Sequence, residues 1–388
     1  MKNLLKIYLI TLPLNAFLFE INIYEIKVPL IITALISILA IIIRRKIDRK
    51  LLIVYLIFTF WLFFITFSRY GFDNYIFSII QFILMSLPVL VNYKEIEVKD
   101  FTKYLLIGFY VTIPFALYDL GLDLPFENLV RERTGPSRPI YEGIIRTRAT
   151  FTEPSYYAIY LNAVLYALVD RKKPPNRYAI PLVLFFILTT FSFGGYILSL
   201  FIGFQRILKK KINILYISLI FSLIILFNPI LIERLLIRID LAIYVILNND
   251  LYGSEGSRLN SLYVMYEYLS SGTVTQFLFG EGFPYYADYL RRMFGSDPLL
   301  QYSDGAIFNT FAVVGISAGS IGLSIYLYLL NNIRKSKYIK TEYMIFFIIL
   351  HFAYAGLQSY FLWSILLILK LNNTSRSFVE SHRLIKKK

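Results

Sequence analysis

The chain has no cysteine and only two histidines, His351 inside an apolar run and His382 in a basic tail. Without thiols there is no disulfide framework, no thiolate nucleophile and no cysteine-ligated metal. Two isolated histidines leave almost no material for a histidine-based metal site or a histidine-dependent triad. Charge is scarce as well. Asp, Glu, Lys and Arg together make up 17% of the 388 residues, and many long stretches carry none. No segment is of low complexity, and no solenoid-type repeat is visible.

What replaces charge is apolar surface. The chain is 57% hydrophobic, with a mean hydropathy of +0.61. A soluble domain buries one core, whereas uncharged runs that recur from end to end describe a protein crossing a membrane many times. The runs predict an all-α, polytopic integral membrane protein, a single membrane domain over 1–388 with about twelve transmembrane helices. The expected spans are 5–19, 28–43, 51–67, 75–92, 103–119, 153–169, 178–191, 193–206, 212–231, 305–330, 342–355 and 357–370. The first run carries Pro13 and Asn15 and lacks a small-residue cleavage site, so it reads as a retained span and not as a signal peptide.

Basic connectors orient the spans. "RRKIDRK", "NYKEIEVKDFTK", "DRKKPPNR", "QRILKKK", "NNIRKSKYIK" and "HRLIKKK" all fall on one side if the amino terminus is cytoplasmic, as the positive-inside rule requires. Both termini then lie in the cytoplasm. The net charge of +15 becomes an orientation signal, and no nucleic-acid partner is implied. Two large segments, 120–152 and 232–304, are left outside as external loops. Within them, 231–248 places Arg234 and Arg238 on one face of an apolar helix suited to the membrane surface, and 257–270 also reads as a helix.

Lysine and arginine are equally common, twenty each, but they are placed differently. Under this topology Lys27 is the only external lysine, against eleven external arginines: Arg69, Arg131, Arg133, Arg138, Arg146, Arg148, Arg234, Arg238, Arg258, Arg291 and Arg292. Guanidinium grips phosphate or carboxylate through two parallel hydrogen bonds, which an ammonium point charge cannot do. The set therefore points to an anionic ligand, with pyrophosphate the best match. The structural alternative is that these arginines pair with external carboxylates such as Asp123, Glu127, Glu132 and Glu142 to fold the loops.

Three stretches carry further signal. Arg148 precedes "ATFTEPS", where Pro154 suits a first helical turn and Glu153 complements the helix dipole. "SRLNSLYVMYEYLSSGTVTQFLFGEGF" is an Arg-led amphipathic segment closing on Gly280 and Gly282. "SDGAIFNTFAVVGISAGSIGL" opens the tenth span with Gly315 and Gly319 in a GxxxG, a pattern of close helix packing. In this order they resemble the O-antigen polymerase (Wzy) and O-antigen ligase superfamily of bacterial surface-polysaccharide assembly, best over about 130–330. The ligase branch has a histidine ahead of its Gly-rich helix; here that place is held by Asp304 and Gly305, so the resemblance favours the polymerase branch.

That resemblance implies an integral-membrane glycosyltransferase of the plasma (bacterial inner) membrane, built like the C-type glycosyltransferases. It would move a growing glycan from undecaprenyl pyrophosphate onto an incoming lipid-linked repeat unit at the outer face. Its partners would be undecaprenyl-pyrophosphate-linked oligosaccharides, the lipid bilayer and a chain-length regulator. No cofactor and no metal is implied. The pyrophosphate cradle is assigned to Arg146, Arg148 and Arg258, with Arg291 and Arg292 in support. Glu153 and Asp304 are the candidate catalytic carboxylates, and Tyr156 and Tyr157 are candidates to line a sugar groove. The rival classes are a lipid-linked oligosaccharide flippase or transporter and an O-antigen-type ligase. Transporters place charge near the bilayer midplane, and here the charge gathers in two external segments.

Overall fold

The computed structural model describes residues 2–14, 18–21, 24–42, 49–71, 75–91, 101–121, 140–141, 144–151, 154–169, 178–208, 264–266, 268–270, 272–283, 309–335, 341–353 and 362–371. They are overwhelmingly helical. Helices α1 (Lys2–Thr11), α2 (Val28–Ile42), α3 (Arg49–Tyr70), α4 (Tyr75–Leu90) and α5 (Phe101–Asp119) come first. Then follow α6 (Pro154–Val169), α7 (Ala179–Thr189), α8 (Phe193–Leu208), the short α9 (Val274–Phe279), α10 (Thr310–Lys335), α11 (Thr341–Ala353) and α12 (362–371). One of these helices overlaps each expected span except 212–231, which lies outside the described residues, as do 231–248 and most of 257–270.

Among the described residues three helices, α3, α5 and α10, are long and apolar enough to cross a membrane. The 22 residues of α3 rise about 33 Å, just over the roughly 30 Å hydrocarbon core of a bilayer. This helix is apolar on both sides. Tyr55, Phe58, Leu62 and Ile65 are buried, while Ile53, Leu56, Ile57, Phe60 and Phe64 form an exposed stripe. A helix hydrophobic all round belongs in a non-aqueous surrounding.

The structure also corrects the sequence reading. The first apolar run is not helical through residue 19: α1 ends at Thr11, and Leu18–Ile21 pairs antiparallel with Tyr24–Lys27 as hairpin β1–β2. Pro13 denies the chain an amide donor just past the helix end, which is where a proline stops a helix. A second, two-residue hairpin joins β3 (Ile140–Tyr141) to β4 (Ile144–Ile145).

The chain divides into two compact units, each assembled from separate stretches of sequence: 1–36 with 96–239 and 374–388, and 37–95 with 240–373. In the first unit α6 is the central helix, buried along nearly its whole length against α5, α7 and α8. Close approach comes from small residues. A Cβ on Gly195 of α8 would lie 2.6 Å from Ala158 Cβ of α6, and one on Gly108 of α5 would lie 2.5 Å from the Leu9 carbonyl of α1. Asn162 then bridges α6 to α8: its Nδ2 donates to the Gly195 carbonyl at 2.9 Å, and its Oδ1 accepts from Ser199 Oγ at 2.8 Å. Such interhelical bonds contribute about 0.6–2 kcal/mol each between apolar helices.

The second unit is built on α3 against α4 and α10, with α11 beside α10. Phe58 packs tilted against Tyr326 at 5.1 Å between ring centres and meets Phe82 edge-on at 5.9 Å. His351 is fully buried in this core. Its Nδ1 faces the Phe347 carbonyl at 2.7 Å and so must donate, which leaves Nε2 to accept from the Tyr326 hydroxyl at 2.7 Å. The lone histidine of an apolar run is thus a satisfied core residue. At one end of the unit, Lys370 of α12 donates its Nζ to the carbonyls of Val89 and Val91 at the carboxyl end of α4.

Candidate functional site

In the first unit four segments converge at one end. Residues 146–151, which lead into α6, are tied to the ends of α1, α5 and α7. Thr150 Oγ1 donates to the Pro13 carbonyl, and the Thr147 N–H donates to the Thr189 carbonyl at 2.9 Å. The backbone N–H groups of Arg148 and Ala149 both donate to Asp119 Oδ2, at 2.9 and 2.7 Å. Asp119 is the last residue of α5, where the helix dipole disfavours a negative charge, and two converging amides offset that penalty. Ala149 adopts φ +49° to present them.

Among the described residues only Ala149 and Phe191 combine a side chain with positive φ, and both belong to this cluster. Such a conformation costs about 1–2 kcal/mol per residue and persists only where the surroundings enforce it. Arg146 is one enforcer. Its Nε donates to the Thr190 carbonyl at 3.1 Å and its Nη2 to the Phe191 carbonyl at 3.3 Å, so its guanidinium closes the carboxyl end of α7. Arg148 is buried at the same turn, 4% exposed, on the residue whose amide holds Asp119.

The tyrosines separate. Tyr157, expected to line a sugar groove, is instead fully buried between helices: its hydroxyl meets Thr112 Oγ1 at 3.0 Å and its ring lies 5.5 Å from that of Phe151. Tyr156, one step round α6, is half-buried. Of the remaining candidates, Glu153, Asp304, Arg258, Arg291 and Arg292 lie outside the described residues, as do Arg131, Arg133, Arg138, Arg234 and Arg238.

The second unit holds a carboxylate that sequence reasoning passed over. Glu281 is 5% exposed, between the two glycines of "FGEGF". Its Oε2 pairs with Arg69 Nη1 at 3.0 Å, while its Oε1 accepts from Gln276 Nε2 at 2.9 Å and from the Tyr268 hydroxyl at 3.3 Å. Gln276 is itself fixed by a capping box with Thr273 at the start of α9. Arg69 therefore does what the structural alternative expected of an external arginine: it pairs with a loop carboxylate.

Beneath this pair α10 is broken. Gly319 has φ +66° and ψ −172°, which interrupts the helix. The carbonyls just before the break are taken up by protein donors, as buried backbone polar groups demand. The Glu281 N–H donates to Ile316 and the Gly282 N–H to Ser317, both at 2.8 Å, and Trp61 Nε1 donates to Ala318 at 2.9 Å. The Phe283 N–H completes the seat on Thr66 Oγ1 at 2.9 Å. The GxxxG thus serves close approach, as its spacing suggested, but through a kink: Gly319 receives the 278–280 backbone, while Gly315 lies against Met265.

Chemically, the first cluster sets two arginines on one strained turn ahead of α6, its amides held by the Asp119 carboxylate at the end of α5, and the second locks a Gly-rich turn onto a kinked helix. Among the described residues no three His, Cys, Asp or Glu side chains gather as a metal-ligand group. A further residue that sequence reasoning missed is Asp119, whose only signal was a charge closing the apolar run "FALYD". No family model matches this sequence, and no curated protein matches it significantly.

Proposed function

We propose that the protein is an integral-membrane polymerase of lipid-linked oligosaccharide repeat units, with twelve spans, both termini cytoplasmic and its chemistry at the outer face of the plasma membrane. In the reaction, a hydroxyl oxygen of the incoming unit attacks the anomeric carbon of the growing chain. The bond from that carbon to the lipid pyrophosphate breaks, the pyrophosphate leaves with its lipid, and the hydroxyl proton passes to a carboxylate. The cradle for the leaving group falls to Arg148 with Arg258, and the carboxylate to Glu153 or Asp304.

The observation that carries this reading is the strained turn 146–151. It bears Arg148 and delivers the chain into α6 through "TEPS", the segment on which the family resemblance rests. The contacts also respect the proposed topology. The ends of α1, α5 and α7 that meet this turn are all outer ends under it, and Lys370 and Val89 are both at inner ends.

One observation favours the flippase reading: a broken α10 resembles the discontinuous helices of transporters, whose unwound carbonyls and helix ends bind cargo. Here the carbonyls of residues 316–318 are occupied by Glu281, Gly282 and Trp61, so the kink serves packing. The test is Glu153→Gln and Arg148→Ala in cells. Normal protein level with single unpolymerised units supports the proposal. Full-length polymer from both variants at normal level makes the stretch a capped helix entrance and moves the site elsewhere.

A further inference from the structure

An apolar groove of about 440 Å³ runs between α10 and α11. Leu323 and Leu327 line it from one helix, and Met344, Ile348 and Phe352 from the other; Leu327 and Phe352 are exposed large hydrophobics. At the carboxyl end of α10 the lining turns polar, with Asn331 and Arg334. On α10 the lining positions are Phe311, ahead of the Gly319 break, and 323, 327, 330, 331 and 334 after it, the latter following the three- and four-residue steps of a single helix face. From 323 to 334 the rise is about 16 Å, close to half of the roughly 30 Å hydrocarbon core. Beyond the break the lining therefore spans about the depth of one leaflet, apolar along most of it and cationic at the carboxyl end of α10.

The cation is poised for an outside partner. Arg334 is exposed, its Nη2 is oriented by Asn331 Oδ1 at 2.8 Å, and among the described residues no carboxylate pairs with it. Glu342, the acidic residue in the first turn of α11, does not line the groove. The stretch "RKSKYIK" that begins at Arg334 adds three lysines and no acid.

We infer that this groove is a binding site for one anionic phospholipid, its acyl chain lying between α10 and α11 and its headgroup phosphate on Arg334. Basic pockets between spans on the cytoplasmic side are built to hold anionic headgroups, and the guanidinium fork suits a phosphate oxygen pair. The assignment to the cytoplasmic leaflet rests on the proposed topology; the binding itself does not.

The test uses the full-length protein in symmetric lipid discs containing phosphatidylglycerol or phosphatidylcholine, with retained lipid measured by native mass spectrometry. The expected result is selective retention of phosphatidylglycerol. Arg334→Gln should lower its affinity about fivefold, the weight of one cation beside an anionic membrane surface. Leu327→Trp, which fills the groove without touching the charge, should lower retention of either lipid. Equal retention of the two lipids, or a preference that survives Arg334→Gln, would make the bound lipid merely annular and overturn the proposal. Neither readout depends on polymer synthesis, and discs present both leaflets alike. An error in the polymerase reading or in the orientation therefore leaves the binding result intact.

Discussion

Replacing Gly319 by alanine should undock the Gly-rich turn from α10. A Cβ at this position would lie 2.4 Å from the Leu278 carbonyl oxygen, 2.5 Å from its carbon and 2.6 Å from the Phe279 nitrogen. All three are backbone atoms, so no side chain can rotate away. The native φ of +66° with ψ of −172° adds a second cost, because that region is open essentially to glycine alone. Backbone strain there costs about 1–3 kcal/mol, and overpacking a filled contact costs about 1–3 kcal/mol. Together these give about 2–6 kcal/mol, a large part of the roughly 5–15 kcal/mol that holds an ordinary fold. The chain would relieve the clash by moving the 278–283 turn, losing the bonds from Glu281 and Gly282 to the α10 carbonyls. The matched control is Gly203→Ala in α8, where nothing lies within 4 Å of the new Cβ; it should be neutral or stabilising by up to about 1 kcal/mol. Thermal unfolding in detergent, with proteolysis around residue 281, reads both variants. A Gly319→Ala protein as stable and protease-resistant as Gly203→Ala would refute the docked turn.

Two further outcomes follow from the first unit and from the topology. Asp119→Ala should destabilise by about 2–4 kcal/mol in a thermal shift, since it strands two buried amides, while Asp119→Asn, which keeps an accepting oxygen, should cost far less; equal losses would mean that the charge, not the acceptor, matters. Single cysteines at Ser137 and Ser254, in a chain with no native thiol, should react with an impermeant reagent in intact cells, and labelling only after membrane rupture would reverse the orientation.

Much of the helical layout was legible because apolar runs of this length have few alternatives. The first span runs too far although a signal is there: "LFEINIYEIK" alternates apolar and polar residues over most of its length, the period of a strand, yet its first two residues, Leu18 and Phe19, close the expected span and the rest falls between the first two spans. The GxxxG was found but its form was not, because close helix packing and a positive φ select glycine for different reasons that look identical in sequence. Arg146 illustrates the same limit: an arginine that closes a helix end and one that grips a phosphate use the same donors. Tyr156 and Tyr157 differ by one step round α6, and only the neighbours decide which is buried. Glu281 escaped notice because its partner, Arg69, is 212 residues away.

The most direct test of the polymerase account is reconstitution. Purified protein in proteoliposomes would be given lipid-pyrophosphate-linked repeat units labelled in the sugar, and products would be resolved by size and by side of the bilayer. The account predicts a ladder stepping by one repeat unit, made at the outer face and abolished by Arg148→Ala at unchanged protein level. Label that crosses the bilayer with no increase in chain length would contradict it.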